Sequence, residues 1–191
     1  VGRIPKLVKE GFKGVIYATE ATRDIAEIIL LDSAKIMKED FETNFKKAQR
    51  RGKEEDVRAP LYDEDDVEAA FDLVWEHPEY DSTVEVQEGL NVTFRDAGHI
   101  LGAAFIEILY KEDGVERTIV FSGDIGSGNT KVMNNLQKCK HANYLYVEST
   151  YGDRNHKDVE ASIVEFKRVV IDTLRDWGNV CLLYTSPSPR D

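Results

Sequence analysis

Asp96-Ala97-Gly98-His99-Ile100-Leu101-Gly102-Ala103 sets one histidine in a tight, glycine-flanked turn between two segments that read as strands, Leu90 to Arg95 and Ala103 to Tyr110. A metal site wants a rigid loop at a strand end, so that an imidazole projects at fixed geometry. The glycines permit positive φ and close backbone approach. Taken alone, a histidine in a turn is more often incidental than a ligand. The pattern then recurs. The apolar run Thr118-Ile119-Val120-Phe121 ends in Ser122-Gly123-Asp124-Ile125-Gly126, and Tyr144-Leu145-Tyr146-Val147 ends in Glu148-Ser149-Thr150-Tyr151-Gly152. An aspartate at the end of a buried strand is costly unless it is paired or coordinated, although each acid by itself reads equally as a loop cap. Three strand ends that each deliver an ionisable group suggest one shared rim.

The rest of the chain supplies layers for such a rim. Ile4 to Glu10 reads as a short helix stopped by Gly11, and Val15-Ile16-Tyr17-Ala18 as a buried strand. Thr19 or Thr22 caps a long helix, whose Ile25, Ile28, Ile29, Leu31, Ile36 and Met37 predict a broad buried stripe. Beyond Asp40 the composition turns polar and basic, with Lys46, Lys47, Arg50, Arg51 and Lys53, which reads as a solvated helix end. Asp63 to Trp75 predicts a second amphipathic helix with acids in its first turn, ended by Pro78. Thr83 to Val86 and Arg117 to Phe121 add strands, and Asp113-Gly114 is a hairpin signal. Asn143 to Val147 is a further strand. Ala161 to Trp177 predicts a helix with Ile163, Val164, Phe166, Val169, Val170 and Leu174 on its apolar side. Gly178-Asn179-Val180 should then open a strand. The order is not a regular alternation of strand and helix, so it fits a sandwich of mixed sheets covered by helices rather than a doubly wound sheet.

The 191 residues are 41% hydrophobic and 32% charged, an ordinary globular mixture. No apolar run approaches the ~20 residues needed to cross a bilayer. The start, Val1-Gly2-Arg3-Ile4-Pro5, lacks the build of a signal peptide and lacks an initiator Met, so the natural start is expected upstream. Two distant cysteines, Cys139 and Cys181, form neither a disulfide framework nor a thiolate metal site, and a cytoplasmic home is the simplest reading. A net charge of −11 argues against a generic nucleic-acid binder. Local acid runs such as Asp63-Glu64-Asp65-Asp66 carry much of that charge, and bound divalent cations would reverse the potential where a phosphate must sit.

Gly98-His99-Ile100-Leu101-Gly102 resembles the third metal-ligand motif of metallo-β-lactamase-fold hydrolases, and Ser122-Gly123-Asp124 resembles the fourth, whose Asp bridges two metals. Glu148-Ser149-Thr150-Tyr151-Gly152 is similar to the acidic motif that opens the β-CASP signature of RNA-processing ribonucleases. Gly2-Arg3-Ile4-Pro5-Lys6-Leu7 resembles the segment directly after that family's H-x-H-x-D-H motif. Thr19-Glu20-Ala21-Thr22, Leu31-Asp32-Ser33 and Leu61-Tyr62-Asp63-Glu64-Asp65-Asp66-Val67 match further segments, so the resemblance runs from residue 1 to about residue 180. No H-x-H-x-D-H occurs in the chain, nor do the later β-CASP histidines. Of the four histidines, His99 alone fits a ligand position. His156 reads as a surface residue, and His77 and His141 as structural or exposed.

The resemblance implies an α/β fold: a partial αββα metallo-β-lactamase sandwich over residues 1–154 and the beginning of a β-CASP domain over 155–180, while residues 181–191, with two Ser-Pro steps where a strand is expected, read as a non-native tail that resembles translated sequencing adapter, a natural disordered end being the alternative. It implies a hydrolase that cuts RNA phosphodiester bonds with two zinc ions. His99 holds one ion, Asp124 bridges both, and Glu148 is catalytic through a later histidine that it hydrogen-bonds and that protonates the leaving oxygen. RNA is the expected partner, with no membrane and a homodimer as the candidate assembly. The 191 residues by themselves are expected to be inactive. Rival readings are a hydrolase of the same fold acting on thioesters or lactams, and a non-catalytic β-CASP-like scaffold subunit.

Overall fold

The computed structural model describes residues 1–128, 132–155 and 157–181. The chain divides into two compact units, Val1–Glu148 and Ser149–Asp191.

In the first unit, helix α1 (Ile4–Lys9) starts on Pro5 and stops before Gly11, whose φ of 102° only glycine adopts readily. Strand β1 (Ile16–Tyr17) leads into helix α2 (Glu20–Gln49). Thr19 is its cap, its hydroxyl accepting the Thr22 N–H at 3.3 Å. The buried stripe of α2 matches the expected one only in part: Leu31 and Met37 pack half-buried against the core, but its centre is not the isoleucines. Ala26, Leu30 and Ala34 are the buried residues, whereas Ile28, at 71% exposure, and Ile29 and Ile36 are exposed. The i, i+4, i+8 row of small residues around Leu30 packs with Tyr62 and Val67 in one cluster, and small side chains let a helix approach closely. The end of α2 from Lys46 is exposed, as its composition indicates.

Helix α3 (Glu64–Phe71) opens with a reciprocal capping box: the Asp66 N–H donates to Asp63 and the Asp63 N–H to Asp66, both at 3.0 Å. It ends earlier than the expected Trp75. The Trp75 indole N–H donates to the Ala70 carbonyl at 3.0 Å, and its ring stacks on Phe71 with centroids 4.9 Å apart. The side chain therefore satisfies the last helical turn while the backbone leaves it, as strand β2 (Trp75–Glu76), to pair in parallel with β1.

Five strands make the main sheet, in the order β3 (Thr83–Gln87), β4 (Leu90–Asp96), β5 (Ala104–Glu112), β6 (Val115–Phe121) and β7 (Tyr144–Tyr146). The β5–β6 hairpin turns on Asp113 and Gly114, both with positive φ, as a two-residue primed turn requires. The first three pairings are antiparallel and β6–β7 is parallel. The strands β4, β6 and β7 thus run the same way, and all three deliver their C-terminal ends to one edge of the sheet. The α/β class with a mixed sheet and flanking helices is the expected one.

The second unit holds helix α4 (Val159–Arg175), capped by Asp158, whose carboxylate accepts the Ala161 N–H at 2.8 Å. None of its residues is buried: Ile163, Val164, Phe166, Val169 and Leu174 are exposed, so its apolar side is not a core face in this structure. Residues 178–180 form no strand. The expectation for the tail falls on residues 182–191, which lie outside the described residues. Among the described residues no helix is long and apolar enough to cross a membrane.

Asp81 joins the sheet to the segment that follows the Asp124 loop. Its carboxylate accepts from the Gln137 amide at 2.9 Å and pairs with Arg95, which also pairs with Glu107 at 2.9 Å. The Gln137 hydrogen bond, and then the one from Arg95, hold the Asp81 carboxyl below its ordinary value of 3.8. A depressed carboxylate contributes its stability fully above the ordinary value, and that contribution is lost as pH falls through the lower, folded value. Asp81→Asn keeps a residue type tolerant of the positive φ of 65° found here. It should melt below the wild type at neutral pH, and the gap should close as pH is lowered past 4 toward the acid end. Thermal melts of both proteins across pH 2–7 check this; a gap independent of pH contradicts the role given to the ionised carboxylate.

Candidate metal centre

The loop after β4 is built around a buried acid that the motif reading passed over. Asp96 is 6% exposed. Its Oδ1 accepts the Gly98 N–H at 2.8 Å, and its Oδ2 accepts from the Asn134 amide at 2.9 Å. Its backbone exchanges two further bonds with Gln137. The D-x-G spacing is the sequence signature of this Asx turn. Gly98, with φ 62°, has no room for a side chain: a Cβ would lie 2.7 Å from both the Asn134 oxygen and the Leu136 nitrogen. The far end of the loop is clasped just as closely. The hydroxyls of Thr19 and Thr22 donate to the Gly102 carbonyl at 2.8 and 2.9 Å, and the Tyr80 hydroxyl donates to the Ala103 carbonyl at 3.0 Å. Burial, and next the Asp96 charge, hold the Tyr80 phenol above its ordinary value, so it stays a donor. Between these clamps His99 is exposed at the loop's tip.

The loop after β6 is tied to its neighbours in the same manner. Ser122 is buried. Its N–H donates to the Tyr146 carbonyl, and its Oγ accepts the Glu148 N–H at 3.0 Å. Glu148 is half-buried, and its carboxylate accepts the N–H of Ile125, the residue after Asp124. Gly126 N–H donates to the Ala97 carbonyl at 2.9 Å and so joins this loop to the one that carries His99. Asp124 itself is exposed. The cost of desolvation that made a strand-end aspartate conspicuous in the sequence is therefore not felt here; a carboxylate open to solvent is free of that penalty.

His99 and Asp124 line the same cavity, of about 700 Å³. Its walls are largely apolar: Ile25 and Ile29 of α2 on one side, Phe94 and Ile106 of the sheet on another, and Ile100 and Leu101 of the histidine loop. One imidazole and one carboxylate on clamped neighbouring loops suit part of the ligand set of a divalent metal. Among the described residues no three His, Cys, Asp or Glu side chains gather closely enough to hold an ion by themselves. The other histidines stand apart from this pair: His77 Nδ1 bonds the Ala18 carbonyl at 3.0 Å, His141 is exposed, and His156 lies outside the described residues.

The chain is similar over nearly its whole length to proteins that are themselves much longer. Ribonuclease TTHA0252 of Thermus thermophilus is 33% identical over 183 residues, which are 95% of this chain and 36% of that protein. The transcription termination factor FttA of Cenarchaeum symbiosum is 28% identical over 184 residues, covering 95% and 26%. The endoribonuclease YSH1 of Eremothecium gossypii is 26% identical over 175 residues, covering 91% and 21%. These relatives are proteins of the β-CASP family, and it is to them that this chain is similar. It spans about a third or less of the length of these β-CASP relatives. No family model matches it. A solved subclass B3 metallo-β-lactamase of Bradyrhizobium japonicum overlays 63% of this chain and 35% of its own at a TM-score of 0.33 and 18% identity. The β-CASP family implies use of a divalent metal.

If the Asp96 carboxylate holds the histidine loop, Asp96→Ala should cost about 1–3 kcal/mol, because it strands the buried Gly98 N–H without an acceptor. Asp96→Asn, whose amide oxygen still accepts, should recover most of that loss. Urea unfolding of the two variants checks the pair; an alanine variant as stable as wild type would remove Asp96 from this role.

Proposed function

We propose that this chain forms one wall of the active site of a zinc-dependent hydrolase that cleaves RNA phosphodiester bonds, and that the remaining ligands come from outside the 191 residues. The observation that carries the proposal is the convergence of His99 and Asp124 on one cavity, from loops joined by the Gly126–Ala97 hydrogen bond. Relatives named ribonuclease and endoribonuclease support RNA as the substrate.

When bound, a pair of zinc ions supplies Lewis acidity and lowers the pKa of water toward neutrality. His99 is assigned to hold one ion through its exposed imidazole. Asp124, with two carboxylate oxygens, is assigned to bridge the pair. Glu148 is assigned two tasks. Through the Ile125 N–H it holds the Asp124 loop in place. It also orients, by hydrogen bond, a histidine supplied from outside these residues that protonates the leaving oxygen; a carboxylate accepts several hydrogen bonds, and such a partner fixes a ring's tautomer and aim. Within the unit that begins at Ser149, residues 155–180 are assigned to the opening of the β-CASP domain. The exposed thiols of Cys139 and Cys181 support a reducing, cytoplasmic setting.

Ligand counting gives the test. A catalytic zinc normally takes three protein ligands and an open position, and one imidazole with one carboxylate cannot serve two ions. The 191-residue polypeptide is expected to bind zinc weakly and to leave RNA intact. Supplying the upstream H-x-H-x-D-H segment and the downstream segment of the β-CASP relatives should restore both properties. In that protein Asp124→Ala should abolish cleavage, and Glu148→Ala should slow it while most of the zinc stays bound. Elemental analysis beside a single-turnover assay on labelled RNA checks all three; a Glu148→Ala protein devoid of metal contradicts the role given to Glu148, and full metal and full activity in Asp124→Ala contradict the site.

A further inference from the structure

We propose that Gly126 is a positioning residue whose direct backbone contact with Gly98 sets the separation between the His99 imidazole and the Asp124 carboxylate. The inference rests on the reading of those two residues as metal ligands. Gly126 stands two residues after Asp124, and Gly98 one residue before His99, so a displacement at their contact is carried almost undiminished to both side chains.

Three observations support the contact as the determinant of spacing. First, the Gly126 N–H donates to the Ala97 carbonyl at 2.9 Å, a direct backbone hydrogen bond between the two loops. Second, a Cβ built on Gly126 would overlap the carbonyl group of Gly98 and lie 2.9 Å from the His99 nitrogen. Gly126 is not among the glycines with positive φ. Its own backbone conformation therefore does not call for glycine; the approach of the neighbouring loop does. Third, neither loop has slack to absorb a change. Behind Gly98 lie Asn134 and Leu136, within 2.7 Å of any Cβ there. Behind the Asp124 loop, Glu148 grips Ile125 and its N–H grips Ser122.

Carbon atoms pack at about 3.5–4.0 Å, so an alanine methyl at 126 must drive the loops apart by on the order of 1 Å. Metal–ligand distances tolerate only about 0.2 Å. A small strain in the fold thus becomes a large fault in the site.

The test uses the protein carrying the complete ligand set, with Co²⁺ as the metal because its visible absorption reports coordination geometry. Gly126→Ala should lower Co²⁺ affinity about 10–100-fold, the range typical of lost outer support for metal ligands. It should also shift the visible bands, and the metal-free protein should melt somewhat below wild type because the methyl strains both loops. A merely structural role would lower the melting temperature and leave the bands of the loaded protein unmoved, and that result overturns the proposal. His99→Ala and Asp124→Ala separate the two levels. If both keep wild-type Co²⁺ affinity, the ligand reading fails and this inference with it. If both lose Co²⁺ while Gly126→Ala binds as wild type, the positioning inference alone fails. Hydrogen exchange on the unaltered protein needs no variant: the Gly126 amide should exchange slowly, and exchange at the rate of an open loop amide overturns the contact.

Discussion

The parallel pairing of β6 with β7 is the constraint on which the site depends. Antiparallel neighbours alternate in direction, so β4 and β6 send their C-terminal ends to the same edge and β5 sends its own to the other. Only a parallel partner adds a third strand end to that edge. The register is held at both extremities of β7. At its entry, the Asn143 N–H donates to the Thr118 carbonyl, and the Asn143 side chain accepts the Thr118 N–H at 2.7 Å, so one residue imitates an additional ladder rung. At its exit, Ser122 binds the Tyr146 carbonyl through its own N–H and the Glu148 N–H through its hydroxyl. Reversing β7 would carry Val147 and Glu148 to the opposite edge and leave the Asp124 loop without the acceptor for Ile125.

The cavity beneath the rim is apolar where it meets α2, the sheet and Ile100 and Leu101 of the histidine loop, and polar where His99 and Asp124 reach it. This separation suits metal chemistry. Low-dielectric walls such as Phe94 and Ile106 strengthen charge interactions nearby, while the exposed imidazole and carboxylate remain open to an incoming ion. The hydroxyls of Thr19 and Thr22 connect the two regions. The Thr19 hydroxyl caps α2, and both hydroxyls, through the Gly102 carbonyl, fasten the histidine loop to the end of a helix thirty residues long. The loop is thereby attached to a rigid rod as well as to the sheet edge, and a mobile histidine would be a poor ligand.

Much of this was legible in the sequence, and the parts that were not share a cause. Apolar runs, two of them joined by the Asp113-Gly114 turn, located the strands, because period and turn chemistry are local properties. His99, Asp124 and Glu148 were located because each follows a strand. The buried face of α2 was read correctly at Leu31 and Met37 and wrongly at its centre: isoleucine is the more hydrophobic residue, yet Ala26 and Ala34 are buried, because what α3 requires there is close approach rather than apolar area. The end of α3 was misread because Trp75, an apolar residue at helical spacing, leaves the helix and satisfies Ala70 through its indole instead of continuing the turn. The apolar side of α4 was read correctly as a pattern, but a pattern does not say what covers it.

The three acids show why residue type alone could not rank the site. Asp96, Asp124 and Glu148 all stand at or just beyond a strand end, yet the sequence singled out only the last two. Their surroundings separate them. Asp96 is buried, and its two oxygens are engaged by a backbone N–H and a side-chain amide, so it is already committed to holding the fold. Glu148 is half-buried and grips the backbone next to Asp124. Asp124 stands exposed on the cavity rim, with its loop anchored on both sides by other residues' bonds. A ligand needs this combination of a fixed backbone and an accessible carboxylate. A buried acid engaged with uncharged partners cannot turn outward without stranding those donors, each at about 1–3 kcal/mol. On the proposed assignment, the division of labour among the three carboxylates follows from which one the surrounding hydrogen bonds leave accessible, and that choice is a property of the assembled sheet edge rather than of any one motif.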